Sequence, residues 1–80
     1  MARTAKEIQR DHQRLFDNIR LLQKIHGIEV LRTAIGVSKV TWIAKAKEPW
    51  RTFSYDDLRL ISTICKVDFT TLVEGSLTIN

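Results

Sequence analysis

The sequence predicts an all-α fold, and two observations support this. Only 3 glycines and 1 proline occur among 80 residues, so long loops and β-hairpins are not expected, whereas the helix formers Leu, Ile, Arg and Lys are abundant. Apolar residues also recur at helical spacing between residues that suit helix ends. The length fits a single domain, residues 1–80, with one modest core.

The first predicted helix runs from Thr4 to His26, with an apolar stripe at positions 15, 16, 19, 22 and 25. Thr4 and Glu7 have capping-box spacing, and Gly27 is suited to close the helix. Such a helix is about 33 Å long, more than so small a core covers. We therefore expect the half from Thr4 to Arg14 to project, as a partner-binding arm or as a solvated, partly frayed helix. The predicted segments are an extension at 4–17, a core at 18–75 and a tail at 76–80.

The second predicted helix spans Ile28–Ile35 and is ended by Gly36. The third begins at or just after Ser38, its predicted N-cap, and ends before Pro49, because the residue before a proline is disfavoured in a helix. A glycine, an apolar residue and a serine thus form a tight turn between the two helices. A short basic helix after such a turn is suited to lie in a DNA groove.

Two further helices are predicted, the fourth from Ser54 and a short fifth at 69–74. Their ends are marked by a capping-box pair, a capping aspartate and a terminal glycine: Ser54 with Asp57, Asp68, and Gly75. The expected buried face of the fourth helix is Leu58, Ile61, Ile64, Cys65 and Val67. The loop before it carries Trp50 and Phe53, which are expected to pin the loop to the core.

The positive charge is concentrated in the part of the chain that contains the turn. Residues 1–51 hold 11 Lys and Arg against 5 Asp and Glu, whereas residues 52–80 hold 2 against 4. This distribution fits a polyanionic partner. Charge asymmetry is also common in small domains of other kinds, so the charge alone does not decide the function.

The sequence holds no pattern that indicates catalysis, a cofactor or a metal ion. His12 and His26 lie far apart and join no cluster of ligands at metal-binding spacing. Without a glycine-rich phosphate loop or a Ser/His/Asp pattern, no enzyme activity or small-molecule substrate is expected. The one cysteine, Cys65, permits no internal disulfide and suits a reducing cytoplasm. Neither a membrane span nor a signal peptide is expected.

Three sets of residues lie at a spacing found in a known family. They are Asn18-Ile19-Arg20 with Leu22; Leu31, Ile35 and Gly36-Val37-Ser38; and Leu58, Ile61-Ser62, Cys65, Val67, Leu72 and Gly75, the last set following the pattern LxxIAxxLxVxxxxLxxG. Over roughly residues 18–75 the chain therefore resembles the lambda-repressor-like, Cro-type (XRE) helix-turn-helix family. The resemblance implies an all-α, five-helix lambda-repressor-like bundle, here with an extended N-terminal helix. It also implies binding to operator DNA, often as a dimer, as in repressors of phages and mobile elements.

The chain departs from the family pattern in the turn region. Arg32 stands where a small residue is usual, and Ile28 and Glu29 replace the usual glutamine. The segment 47–49 replaces the acidic-x-Gly ending of the recognition helix. Arg32 is expected to be either an intramolecular salt-bridge partner or a backbone contact, and the sequence does not choose between these.

The third helix has two alternative rotations about its axis. If positions are counted from Gly36 with no inserted residue (the straight count from the turn), Trp42 and Lys45 face the core. The side facing DNA then carries Val40, Ile43, Ala44 and Lys47. With one residue inserted in the turn, it buries Ile43 and Ala46, presents Thr41, Ala44 and Lys45, and leaves Trp42 at the edge. Burying a lysine ammonium is costly and burying isoleucine is favourable, so the second rotation is preferred.

The preferred rotation defines the expected DNA interface. The predicted phosphate contacts are Ser38, Lys39, Lys47, Arg51 and Thr52. Thr41 and Lys45 are predicted to meet base edges, because lysine can donate to guanine and a threonine methyl can meet thymine. Trp42 is expected either to pack on a sugar-phosphate edge or to lie in the core, and the lysines could instead form a solvated helix face. Because one helix with so few polar side chains gives limited sequence specificity, a homodimer on two half-sites of double-stranded DNA is expected.

The sequence thus predicts a sequence-specific DNA-binding transcriptional regulator, repressor-like and of phage or mobile-element type, which inserts the 39–47 helix in the major groove. The alternative is a protein-interaction module on the same fold, an antirepressor or inhibitor with little DNA binding. In that case the projecting first helix would bind a partner together with the aromatic region of Trp42, Trp50, Phe53 and Tyr55.

Overall fold

The computed structural model describes residues 4–77, and within them the only regular secondary structure is helical. The elements in chain order are α1 (Ala5–His26), α2 (Ile28–Ile35), α3 (Lys39–Lys47), α4 (Pro49–Thr52), α5 (Tyr55–Cys65) and α6 (Phe69–Glu74). The predicted all-α class is confirmed. Residues 78–80 of the predicted tail lie outside the described residues. In the described part of the chain, no helix has the length and apolar character needed to cross a membrane.

Residues 4–77 form six helices where five were predicted, because the segment expected to be a loop contains α4. Pro49 occupies the first turn of α4, where its fixed φ suits a helix and its missing N–H costs no hydrogen bond. The hydroxyl of Thr52 donates to the carbonyl oxygens of Lys45 and Glu48 at 2.7 and 3.0 Å. A single helical turn is too short to show an apolar period, so the sequence pattern does not reveal it.

Side-chain caps begin four of the helices where the sequence predicted helix starts. The oxygens of Thr4, Ser38, Ser54 and Asp68 each accept a backbone N–H three residues later, at 3.0–3.2 Å. At Ser54 the pairing is reciprocal, since the Asp57 carboxylate also accepts the Ser54 N–H at 3.2 Å. Such caps satisfy amide donors that the first turn of a helix leaves unpaired.

The core is built around α1, which packs against α2, α3, α4 and α6. Its buried apolar members are Leu15, Ile19, Leu22, Leu31, Trp42, Phe53, Ile61, Cys65 and Leu72. Ile64 was predicted to be buried, yet its side chain is 48% exposed. The inward stripe of α5 instead passes through Ser62, whose hydroxyl donates to the carbonyl oxygen of Arg59 at 2.8 Å. That local bond lets a small polar residue occupy a buried position.

The N-terminal half of α1 is attached to the body over more of its length than the predicted 4–17 extension implies. Residues 4–10 are exposed, but the His12 ring stacks on the Trp50 ring with centroids 4.8 Å apart. The Arg14 guanidinium donates to the carbonyl oxygen of Glu74 at 3.3 Å, and Leu15 is buried. The exposed segment therefore ends near residue 10, because α4 and the end of α6 lie against the middle of α1.

Asn18 joins α1 to the C-terminal end of α6. Its side chain is 3% exposed, and its amide nitrogen donates to the carbonyl oxygens of Thr71, Leu72 and Gly75 at 3.3, 2.8 and 3.0 Å. Its amide oxygen accepts the N–H of Leu77 at 3.0 Å. One buried side chain thus pairs with backbone groups at and just beyond the end of α6, where a helix leaves carbonyl groups without partners of its own.

Replacing Asn18 with alanine should lower the free energy of unfolding by roughly 2–3 kcal/mol, because it leaves buried backbone groups unpaired. Urea unfolding followed by circular dichroism measures this. The control is Gln9→Ala, which removes an exposed amide from the same helix and should change stability by less than about 0.5 kcal/mol. Equal stabilities for the two variants would contradict the role assigned to Asn18.

Candidate nucleic-acid interface

The turn between α2 and α3 is three residues long, as the sequence predicted. Gly36 adopts the left-handed conformation with φ 73°, which glycine reaches without strain. Its N–H donates to the carbonyl oxygen of Thr33 at 3.1 Å, and the N–H of Val37 donates to that of Arg32 at 3.0 Å. Ser38 then caps α3. The chain therefore reverses direction tightly and starts α3 at a defined residue.

Trp42 anchors the inner side of α3. Its side chain has no exposed surface, and its ring centroid lies 5.2 Å from that of Phe53. The indole N–H donates to the side-chain oxygen of Gln23 on α1 at 2.9 Å, so the one polar group of the ring is satisfied. The prediction that Trp42 lies at the edge of a DNA interface is wrong, and its alternative as a core residue is confirmed.

Lys45 and Thr52, two further predicted DNA contacts, bind each other instead. The Lys45 ammonium donates to the backbone carbonyl oxygen of Thr52 at 2.8 Å and lies 4.0 Å from the Asp57 carboxylate. The Thr52 hydroxyl is already hydrogen-bonded to the carbonyl oxygens of Lys45 and Glu48, which precede α4. The predicted base contact by Lys45 and phosphate contact by Thr52 therefore do not match the geometry.

These placements contradict the preferred rotation of α3 and agree with the straight count from the turn. Of the preferred rotation, only the partial burial of Ala46 and the exposure of Thr41 and Ala44 agree with the structure. Ile43, predicted to be buried, is 42% exposed, and Lys45 faces inward. Burial of a lysine is costly when its ammonium loses its polar partners. The ammonium instead keeps a carbonyl and a carboxylate, so the expected penalty does not arise.

The outward side of α3 carries an apolar stripe. Val40 is 78% exposed, and Ile43, Ala44 and Lys47 are exposed beside it. Positions 40, 43, 44 and 47 have the spacing of a single helix face. Three of the four side chains on this face have no hydrogen-bonding group.

Polar and charged groups surround this stripe. Ser38 and Thr41 are exposed, and the Ser38 hydroxyl donates to that of Thr41 at 3.0 Å. Lys39 and Lys47 are exposed at opposite ends of α3. Arg51 is exposed on α4 and forms a salt bridge with Glu48 at 2.9 Å. The structure thus leaves five of the eight predicted contact residues accessible: Ser38, Lys39, Thr41, Lys47 and Arg51.

Arg32 is an intramolecular salt-bridge partner, one of the two alternatives that the sequence left open. Its guanidinium donates to both carboxylate oxygens of Glu29, at 3.0 and 2.6 Å, and to the carbonyl oxygen of Val37 at 3.5 Å. This hydrogen bonding lowers the pKa of Glu29 and raises the pKa of Arg32. The surface of α2 therefore carries a paired charge beside the turn.

Arg20 belongs to this surface, although the sequence analysis did not assign it. A shallow cavity of about 260 Å³ lies between α1 and α3, and its lining includes Arg20, Ile43 and Lys47. The Arg20 guanidinium carbon is 5.7 Å from the centroid of the Phe16 ring. Arg20 lies far before α3 in the chain, and no local pattern indicates that the two would meet.

In the described part of the chain, neither Cys65 nor a group of metal-binding side chains offers a second site. Cys65 is 7% exposed in the core, and burial raises the pKa of its thiol, which opposes formation of the nucleophilic thiolate. Within residues 4–77, no three His, Cys, Asp or Glu side chains are grouped so that they could hold a metal ion.

No protein-family model matches the chain, and neither a curated protein nor a solved structure is detectably similar to it. The resemblance to the XRE helix-turn-helix family therefore stays a prediction from the residues.

Replacing Lys45 with alanine should lower the free energy of unfolding by about 1 kcal/mol, because it removes a charged hydrogen bond that is only partly accessible to water. Lys47→Ala, two residues away on the exposed side, should change stability by less than about 0.5 kcal/mol. Chemical unfolding of both variants measures the difference. A greater loss for Lys47→Ala would contradict the observed orientation of α3.

Proposed function

We propose that the protein binds double-stranded DNA through α3 and acts as a transcriptional regulator, repressor-like and of phage or mobile-element type. The observation that carries the proposal is a short helix, held after a three-residue glycine turn, whose outer face is solvent-exposed between two lysines. No acidic residue lies within α3. An α-helix with its side chains is about 10–12 Å across, so it fits a major groove about 12 Å wide.

Phosphate contacts in this proposal come from cations at the ends and flanks of α3. Lys39 and Lys47 lie at its two ends, and Arg20 lies across the cavity beside Lys47. Arg51 can reach a phosphate when its exposed pair with Glu48 opens, which costs little because surface ion pairs contribute little stability. These contacts position the helix without reading sequence.

The proposed state on DNA is a homodimer. One short helix with few polar groups contacts few base pairs, and a second copy doubles the site by binding an adjacent half-site. The regulator would have no catalytic role and would act in the cytoplasm, where its single cysteine stays reduced.

A second candidate function is a protein-interaction module, an antirepressor or inhibitor. The observation that favours it is the exposure of Val40 and Ile43 on α3 and of Trp50 on α4. Apolar surface of this kind is also what a protein partner would bury. The dependence of binding on salt separates the two functions, because a mainly apolar protein interface would respond weakly to salt.

The affinity of the full chain for a duplex should fall steeply between about 50 and 200 mM salt, with a log–log slope near −0.9 per phosphate contacted. Fluorescence anisotropy with a labelled random-sequence duplex, and with duplexes selected from a random pool, measures the slope. Lys47→Ala should make the slope less negative by about one, because it removes one phosphate contact.

The matched control for this experiment is Lys66→Asn, which removes the same charge from the turn after α5. Lys66 has φ 57°, a left-handed conformation that asparagine tolerates. Its slope should equal that of the unmodified chain. Absence of duplex binding at low salt, or equal slopes for the two variants, would refute DNA binding through α3.

A further inference from the structure

The apolar stripe of α3, formed by Val40, Ile43 and Ala44, is not explained by packing within the chain. Val40 is 78% exposed, and Ile43 keeps 42% of its surface accessible. Trp42 and the inward side of the helix already supply the contacts to the core. Packing within the chain therefore does not account for these exposed apolar side chains.

Helix stability does not account for the stripe either. Valine and isoleucine are branched at Cβ and lose side-chain freedom in a helix, so they are less favourable there than alanine, lysine or glutamate. Position 41 is a third β-branched residue in the same nine-residue helix. The Ser38 cap and the contacts of α3 with its neighbours keep this segment helical in spite of its composition. Contact of the exposed stripe with another molecule would account for the choice of these residues.

The charges around the stripe indicate what that contact is. Lys39 and Lys47 are exposed at the two ends of the helix, and α3 itself has no carboxylate. Arg20 lines the same cavity as Ile43 and Lys47. A partner that covers the stripe must then accept cations at its edges and apolar side chains at its centre. A DNA major groove has this arrangement, with phosphates on both sides and thymine methyl groups on its floor.

We infer that α3 reads thymine C5-methyl groups, so that the DNA site of this protein is recognised by apolar contact more than by hydrogen bonds to base edges. The inference rests on the proposed function and specifies its ligand. Val40, Ile43 and Ala44 can neither donate nor accept a hydrogen bond, and the thymine methyl is the major-groove group that such side chains distinguish. Thr41, exposed beside the stripe, adds a methyl and a hydroxyl group.

The test uses duplexes that the full chain selects from a random pool. Each thymine in a selected duplex is replaced in turn by deoxyuridine, which removes only the C5-methyl and leaves base pairing unchanged. Affinity should fall about threefold to fourfold for each methyl that α3 covers, the value expected for one buried methyl-sized group. Thymines outside the site should show no change and serve as internal references.

Protein variants test the same contact from the other side. Val40→Ala should reduce the thymine-to-uracil ratio of affinities at one or two positions, while the salt slope stays unchanged. The matched control is Val30→Ala, which removes the same atoms from an exposed valine on α2, outside the stripe. It should leave every ratio as it is in the unmodified chain. Circular dichroism of both variants confirms that the fold is intact.

The outcomes separate this inference from the proposed function. Steep, salt-dependent binding with no loss on deoxyuridine substitution would overturn methyl recognition and leave DNA binding intact. Failure to recover any duplex at low salt would overturn both the inference and the proposed function. Loss confined to the thymines beneath α3, and reduced at one or two of them in Val40→Ala but at none in Val30→Ala, supports the inference.

Discussion

The burial of Trp42 decides which side of α3 faces the solvent. Its ring is inaccessible, and its indole N–H, costly to leave unpaired in a core, has a partner on α1. Because the helical period is 3.6 residues, turning position 42 inward turns positions 40, 43, 44 and 47 outward. The candidate interface is therefore specified by a contact on the opposite side of its own helix. Gln23 supplies the partner in that contact and also lines the cavity beside Ile43 and Lys47.

Lys45 shows why the rotation of α3 could not be inferred by treating a side chain as uniformly polar. Its ammonium reaches the carbonyl oxygen of Thr52, and it lies 5.9 Å from the ring centroid of Phe53. Long cationic side chains often combine an apolar stem with a satisfied head. Whether such a head finds partners depends on α4 and α5, and α4 is a single turn that leaves no periodic signal.

The features that were predictable from sequence are those set by short-range chemistry. Capping residues and glycines mark the helix ends, because the groups that they satisfy lie within three or four residues. The all-α class follows from the same signals. The contacts of Asn18 and Arg20 were not predictable from local spacing, because the residues that they meet lie about 55 and 25 positions away in the chain. Sequence spacing alone does not determine how distant elements pack.

The link between Asn18 and the end of α6 has a consequence for the order in which the chain can acquire its structure. Synthesis on the ribosome releases α1 first, but the carbonyl groups and the N–H that pair with Asn18 belong to residues 71–77. Until that segment emerges from the exit tunnel, a polar amide and its apolar neighbours on α1 stay uncovered. Completion of the core is thus tied to a segment that is synthesised well after α1, whereas the α2–α3 hairpin depends on nearby residues and can form earlier.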